Sequence, residues 1–215
     1  MLAPAKTTQG MPEPIHVFLA TSNPGKLREY SVLAEEFAVE LALLPDFSEI
    51  PSFEESALTF AENAAGKAQY FSKYSSGIIL ADDSGLVVPA LGGAPGIYSA
   101  RYAGPNATDG DRVRKLLSEM EGKEGSERRA RFVCVTAIAQ RGRVNAIVSD
   151  FAEGTLTKEP RGSDGFGYDP IFFFEQLGCT YAEISRQEKN QYSHRGKAFC
   201  KALAVLPARN SVTFL

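Results

Sequence analysis

The chain has 215 residues, 44% hydrophobic and 23% charged, the make-up of an ordinary soluble globular protein with room for one large domain or two intimate lobes. A net charge of -3 argues against general affinity for nucleic acid or an anionic membrane surface, while leaving room for a local basic cleft. Cys134, Cys179 and Cys200 are odd in number, far apart and without a C-x-x-C, so neither a disulfide framework nor a cysteine zinc site is expected, and the reducing cytosol is the expected compartment. Residues 1–14 carry three prolines and no uninterrupted apolar region, which reads as a flexible extension and not as a secretory signal. No apolar run reaches the length of a membrane span.

Residues 15–20 (IHVFLA) predict a strand. They lead through Thr21, Ser22, Asn23, Pro24, Gly25 and Lys26 into a helix with Leu27, Tyr30, Leu33, Ala34 and Phe37 on one face. A strand, loop and helix in that order place free helix N–H groups beside the loop, where they attract phosphate, and Lys26 adds a full charge. The loop is not a Walker A motif, because its first glycine is missing and Leu27 follows the lysine. A plain β–α turn with a solvated lysine is the competing reading. A second strand over 39–44 and an acidic loop with Glu54 and Glu55 precede a helix expected over 58–74. Lys67 falls on the mostly apolar side of that helix, either as a cation aimed at a ligand or as a lysine snorkelling at the core's edge.

The apolar run Ile78, Ile79, Leu80 predicts a short buried strand ending at Ala81-Asp82-Asp83-Ser84-Gly85. Adjacent carboxylates at a strand's end repel unless a cation or donors lie between them, although they could simply cap a turn. The glycines and prolines after them fit a shaped loop that backbone and ligand can approach closely. Thr108 with Asp111 resembles a capping box opening a helix through Val113, Leu116, Leu117 and Met120. Residues 121–129 read as an exposed charged connector. Residues 131–140 and 145–157 flank a short turn and predict a hairpin, the first strand being apolar on both faces and hence central. Residues 162–170 interleave Gly162, Gly165 and Gly167 with Phe166 and Tyr168, either a loop that meets a flat ligand or a glycine-rich bulge entering the aromatic strand 171–174. Ser193 caps a last helix through Phe199, Leu203 and Leu206. Arg195 and Lys197 in its first turn have the wrong sign for the helix dipole, which makes sense if they face an anion.

The candidate groups sort by charge. Lys26, Lys67, Lys189, His194 and Arg195 are what a polyphosphate needs, and Glu54, Glu55, Glu62, Asp82 and Asp83 are what a hard cation needs. Two histidines without an H-x-x-x-H disfavour zinc; magnesium fits, since it binds through one or two carboxylates, waters and substrate phosphates. A spare carboxylate can deprotonate an attacking water. Nothing resembles an activated Ser or Cys nucleophile.

Five segments, ATSNPGK (20–26), EESALTFAENAAGKA (54–68), ADDSGLVVPALGGAPGIYSARYAG (81–104), GFGYDPIF (165–172) and EKNQYSHRGKA (188–198), closely resemble the inosine triphosphate pyrophosphatases, in order and at compatible spacing. The resemblance implies an α/β fold: a long, mixed, twisted sheet with flanking helices, forming two lobes around a central nucleotide cleft, as a single catalytic domain over 15–215. It implies hydrolysis of inosine, deoxyinosine and xanthosine triphosphates to monophosphate and pyrophosphate, with Mg2+ as cofactor, in a homodimer. By similarity, Thr21 to Lys26 and Lys67 would hold phosphate, with Ser84 beside the proton acceptor Asp83. Glu54 and Asp83 would hold magnesium, Glu55 being the alternative to Glu54. Phe166, Gly167, Tyr168, Asp169, Lys189, His194 and Arg195 would bind base and sugar. Ser22 stands where many members have glycine. Hypoxanthine and xanthine carry an acceptor at position 6 where adenine has a donor, so a donor such as Arg195 aimed there would discriminate. A nucleotide pyrophosphatase of other base preference and a non-catalytic nucleotide sensor are the rival readings; a nucleic-acid module is disfavoured by the charge.

Overall fold

The computed structural model describes residues 15–37 and 39–206; the expected N-terminal extension lies outside the described residues. In chain order the elements are β1 (Ile15–Leu19), α1 (Pro24–Glu36), β2 (Val39–Leu43), α2 (Phe60–Phe71), β3 (Ile78–Val87), α3 (Asp109–Glu119), β4 (Arg129–Gln140), β5 (Arg143–Leu156), β6 (Phe172–Phe174), β7 (Cys179–Thr180), α4 (Arg186–Tyr192) and α5 (His194–Ala204). One seven-stranded sheet carries them in the order β2-β1-β3-β4-β5-β6-β7. β1 runs parallel to β2 and β3, and the remaining pairs are antiparallel, so the sheet is mixed, as expected.

Local chemistry sets the elements. Asn23 accepts from the N–H groups of Gly25 and Lys26, and Pro24 sits in the first turn, which together start α1. Thr59 accepts from Glu62 N and starts α2 two residues later than the pattern predicts, leaving Leu58 exposed. The Thr108–Asp111 capping box is present in both directions. Ser193 accepts from Gly196 N at 3.1 Å and starts α5.

Successive strand residues face opposite sides of the sheet, and that alternation locates the site. On one face, Leu80 of β3 and Ile138 of β4 pack with Val17, Leu19, Tyr30 and Leu33 under α1 and α5. Farther along the same strands, Leu86 and Phe132 join Val113, Leu116, Phe172 and Tyr181 under α3. Between those two apolar clusters the residues on this face are Asp82 and Ser84 on β3 and Cys134 and Thr136 on β4. The opposite face packs Ile79, Ala81, Val135 and Ala137 against Ala64, Ala68 and Phe71 of α2.

Four expectations change. β3 does not end at the carboxylates: it pairs with β4 through Val87↔Arg131, so Asp82 and Asp83 lie mid-strand. Phe37 sits at the C-cap of α1, 42% exposed, and the helix buries two charged residues, Lys26 and Glu29. Residues 121–129 are not wholly exposed. The Arg128 guanidinium is buried and donates to the carbonyls of Leu156 (2.7 Å), Thr157 (2.7 Å) and Met120 (3.2 Å), satisfying acceptors left at the ends of β5 and α3. The last helix stops at Ala204, with Leu206 packed beyond it.

Candidate active site

β1 pairs with β3 only as far as Leu19↔Leu80, and the last backbone bond between them runs from Ala20 N to Leu80 O. Beyond that point the chain leaves the sheet at Thr21, and among the described residues nothing pairs with that edge of β3 until the single bridge Val87↔Pro95. An open edge exposes unpaired N–H and C=O groups. Here side chains meet them: Lys26 Nζ donates to Asp82 O (3.3 Å), Ser84 N to Asp83 Oδ1 (2.9 Å) and Leu86 N to Ser99 Oγ (2.9 Å). The edge forms one wall of a cleft of about 690 Å³.

Thr21, Ser22, Asn23, Pro24, Gly25 and Lys26 line this cleft at the N-terminus of α1, whose first turn contains no acid. Thr21 Oγ1 accepts from Asn23 N (3.1 Å), which folds the loop over the helix end. Lys67 reaches the cleft from α2. Its Nζ lies 2.6 Å from Glu55 Oε1, so it is a paired cation and not a snorkelling one.

The two neighbouring aspartates have opposite surroundings because they point to opposite faces. Asp82 is fully buried, 3.0 Å from Lys26 Nζ and 3.5 Å from Arg195 Nη2. Burial alone would push its carboxyl up, but Lys26, Arg195 and Lys67 outweigh it and hold the group at about 2. Asp82 is therefore a permanent anion. Asp83 is 5% exposed, lines the cleft, and accepts from Asn63 Nδ2 at 3.0 Å. Burial, with added repulsion from Glu55 and Asp82, raises it to about 6 against the opposing effects of Lys26 and the Asn63 bond. Such a carboxylate is ionised at neutral pH yet basic enough to take a proton from water.

The far wall comes from the aromatic loop and the α4–α5 corner. Phe166, Gly167, Tyr168, Asp169, Lys189, His194, Arg195 and Ser84 all line the cleft. The Phe166 ring lies on Gly25, where a Cβ would be 2.6 Å from it, so glycine is required for that contact. Lys189 is buried between Glu29 Oε1 (2.6 Å) and Asp169 Oδ2 (2.5 Å). Arg195 is buried too, its Nη1 on Glu29 Oε2 and its Nη2 donating to Ser84 Oγ at 2.8 Å. The anion that the first-turn Arg195 faces is therefore internal. Glu29 is held below the usual carboxylate range because Lys189 and Arg195 overcome the burial penalty, whereas burial and the nearby Glu29 charge push Asp169 up despite Lys189. His194 stacks on Phe132 with centroids 4.7 Å apart. Burial and the charges of Arg195, Lys189 and Lys26 push its imidazole well below the ordinary range, leaving it neutral.

A family model described as the Ham1 family matches residues 17–205. The chain belongs to the Ham1 family. A protein from Geobacillus kaustophilus named dITP/XTP pyrophosphatase is 46% identical over 86% of this chain and 91% of its own. Another of that name from Bacillus licheniformis is 46% identical over 88% and 97%. The solved HAM1 protein of Coxiella burnetii superposes with a TM-score of 0.78 at 42% identity, covering 89% of this chain and 98% of that one. A Mycobacterium abscessus structure titled nucleoside-triphosphatase / dITP/XTP pyrophosphatase superposes at 0.66 with 35% identity, covering 90% and 98%.

On this Ham1 scaffold Lys26, Lys67, Glu55, Asp83, Lys189, His194 and Arg195 reach one cleft, whereas Asp82 is buried behind it and Glu54 and Glu62 are exposed and outside the lining. Glu55 stands in the cleft in place of its neighbour Glu54, because the loop turns one carboxylate inward to Lys67 and the other out. Sequence reasoning missed Glu29, Arg101, Asp109, Arg112 and Phe132. Asp109 Oδ2 accepts from Gly167 N at 2.7 Å and Oδ1 from Arg112, so the first turn of α3 anchors the aromatic loop. Only the capping box hinted at that turn's importance. No helix among the described residues is long and apolar enough to cross a membrane.

Proposed function

We propose that this Ham1-family protein hydrolyses non-standard purine nucleoside triphosphates, those of inosine, deoxyinosine and xanthosine, to the monophosphate and pyrophosphate. The observation that carries this reading is the coexistence, in one cleft, of a helix N-terminus with Lys26 and Lys67 and a carboxylate raised to about 6 at Asp83. The names of the relatives support it.

The triphosphate lies along Thr21 to Lys26 and Lys67. Asp83 takes a proton from a water whose oxygen joins the α-phosphorus. The bond from that phosphorus to the oxygen bridging to the β-phosphorus breaks, and its electron pair leaves with pyrophosphate. Lys26 and Lys67 stabilise charge that grows on the phosphate oxygens. Asp82, fixed as an anion, holds Lys26 and Arg195 in place. The base lies by Phe166 to Asp169, with Lys189, His194 and Arg195 around it. Ser84 and Glu29 orient the Arg195 guanidinium toward the 6-carbonyl, which would leave a 6-amino base facing a donor.

Among the described residues no cluster of three or more His, Cys, Asp or Glu side chains could hold a metal. Asp83 and Glu55, both in the cleft, nonetheless fit magnesium, which needs only one or two carboxylates beside phosphate oxygens and waters. When bound there it would supply charge neutralisation on the triphosphate. A homodimer is the proposed assembly, supported by Ile147 and Phe151, which stand 49% and 46% exposed on β5. Cytosolic action follows from the substrate class.

A pyrophosphate-release panel over inosine, deoxyinosine, xanthosine, guanosine, adenosine and deoxyuridine triphosphates, with and without magnesium, tests the reading. Fast release from the first three alone is expected. Preference for deoxyuridine triphosphate would make it a pyrimidine enzyme, and no release from any would make it a sensor.

A further inference from the structure

The cations of the cleft are not equally available to a ligand. Lys26, Lys67, Arg112, Lys189 and Arg195 each face a carboxylate within ion-pair distance. A cation already paired contributes less field to an incoming anion than a free one. Among the described residues that line the cleft, Arg28 and Arg101 have no carboxylate partner. Arg28 stands on α1 three residues after Gly25, hence on the same face as the Phe166 contact, the base side. Arg101 is at the other end. Its Nη2 donates to the backbone oxygen of Glu55 at 3.3 Å, next to the Glu55–Lys67 pair, in the cleft that Asp83 also lines.

We propose that Arg101 is a substrate-binding residue that takes the β- and γ-phosphates and stabilises the leaving pyrophosphate. This rests on the triphosphate reading of the cleft above. The backbone below Arg101 is built for a fixed position. The turn Gly96–Arg101 lies so close to β3 that a Cβ on Gly85 would be 2.4 Å from Gly96 O. Ser99 Oγ ties the turn to Leu86 N and to Gly96 O, and Ser99 O accepts from Tyr168 Oη at 3.0 Å. Above that rigid base the side chain is exposed, stacked on Tyr98 at 5.0 Å from the ring centroid, and its bond to the Glu55 carbonyl is long. A guanidinium held so loosely can turn its two-pronged face to a phosphate. As the bond at the α-phosphorus breaks, the electron pair arrives on pyrophosphate, and Arg101 is the unpaired positive charge at that end.

Product inhibition separates the two ends of the cleft. Arg101→Ala and Arg101→Gln are compared with wild type for inhibition by pyrophosphate and by inosine monophosphate, at fixed magnesium, with urea melts to establish folding. The loss of one charged contact should raise the pyrophosphate inhibition constant about tenfold or more, leave that of inosine monophosphate within about twofold, and lower kcat/KM for inosine triphosphate about as much as the former. Arg101→Lys should recover part of the loss. Unchanged pyrophosphate inhibition in a folded variant, or equal weakening of both products, overturns the assignment of Arg101 alone. A wild-type protein that neither releases pyrophosphate nor is inhibited by it overturns the triphosphate reading and this assignment with it.

Discussion

Replacing Asp83 with asparagine should cut turnover severely and at the same time make the protein more stable at neutral pH. The carboxyl is raised to about 6 from an ordinary 3.8, mainly by burial, so the folded protein binds a proton that the unfolded chain releases between those two pH values. Stability therefore falls as pH rises from about 4 to about 6, and a native state with Asp83 ionised is destabilised by up to about 3 kcal/mol, an upper figure because the cleft admits water. Asparagine never ionises. It can still accept from either Ser84 N or Asn63 Nδ2, though not from both, which costs roughly 1 kcal/mol at every pH. The net gain near pH 8 is then about 2 kcal/mol at most, and it should shrink by roughly 2 kcal/mol at pH 4.5, where wild type is largely protonated at this site. Urea denaturation of both proteins in EDTA at the two pH values measures the difference. Pyrophosphate release should drop about 10²-fold to 10⁴-fold, the range for a lost general base. A variant that is less stable than wild type at pH 8, or whose stability difference does not change with pH, would refute the burial argument. Near-normal turnover would remove Asp83 from its chemical role.

The same group sets the pH profile of the wild-type enzyme. Activity in kcat/KM should fall about tenfold per pH unit below about 6, because the base must be ionised, and the midpoint should move to lower pH as magnesium rises, because the cation favours the carboxylate. Glu29→Gln leaves Lys189 and Arg195 buried with less than their full counter-charge, and urea melts should show a loss of about 3–5 kcal/mol. Gly25→Ala puts a methyl group 2.6 Å from the Phe166 ring and must displace it; KM for inosine triphosphate should rise several-fold while kcat changes little, as steady-state kinetics would report.

What could be read in advance was whatever local pattern determines. The loop between β1 and α1 is legible because a strand, an Asn-Pro cap and a lysine follow one another within a few residues. The capping box and the β4–β5 hairpin are legible for the same reason. Glu29 is invisible to such reasoning: three positions after Lys26 on a helix, it reads as a solvated carboxylate, and it becomes buried only because Lys189 and Arg195 arrive from 160 and more residues away. The length of β3 is not legible because its apolar run stops at Ala81, whereas the ladder with β4 continues under charged side chains that the cleft and Lys26 accommodate. Glu54 and Glu55 could not be separated, since adjacent residues in an irregular loop have no periodicity to say which turns inward. The anchoring of Gly167 by Asp109 is likewise a long-range contact, hidden behind a residue that already had a local explanation as part of a helix's first turn.

The placement of Asp83 has a consequence for heat inactivation. Residues on flexible loops can lose their working positions before the rest of a molecule melts, so activity fades ahead of cooperative collapse. Here Asp83 hangs from the middle of a ten-residue strand, with its backbone opposite Val135 in the ladder with β4. On warming, Asp83 should therefore hold its position up to the temperature at which the sheet comes apart, so any earlier loss of activity would come from the loops around it.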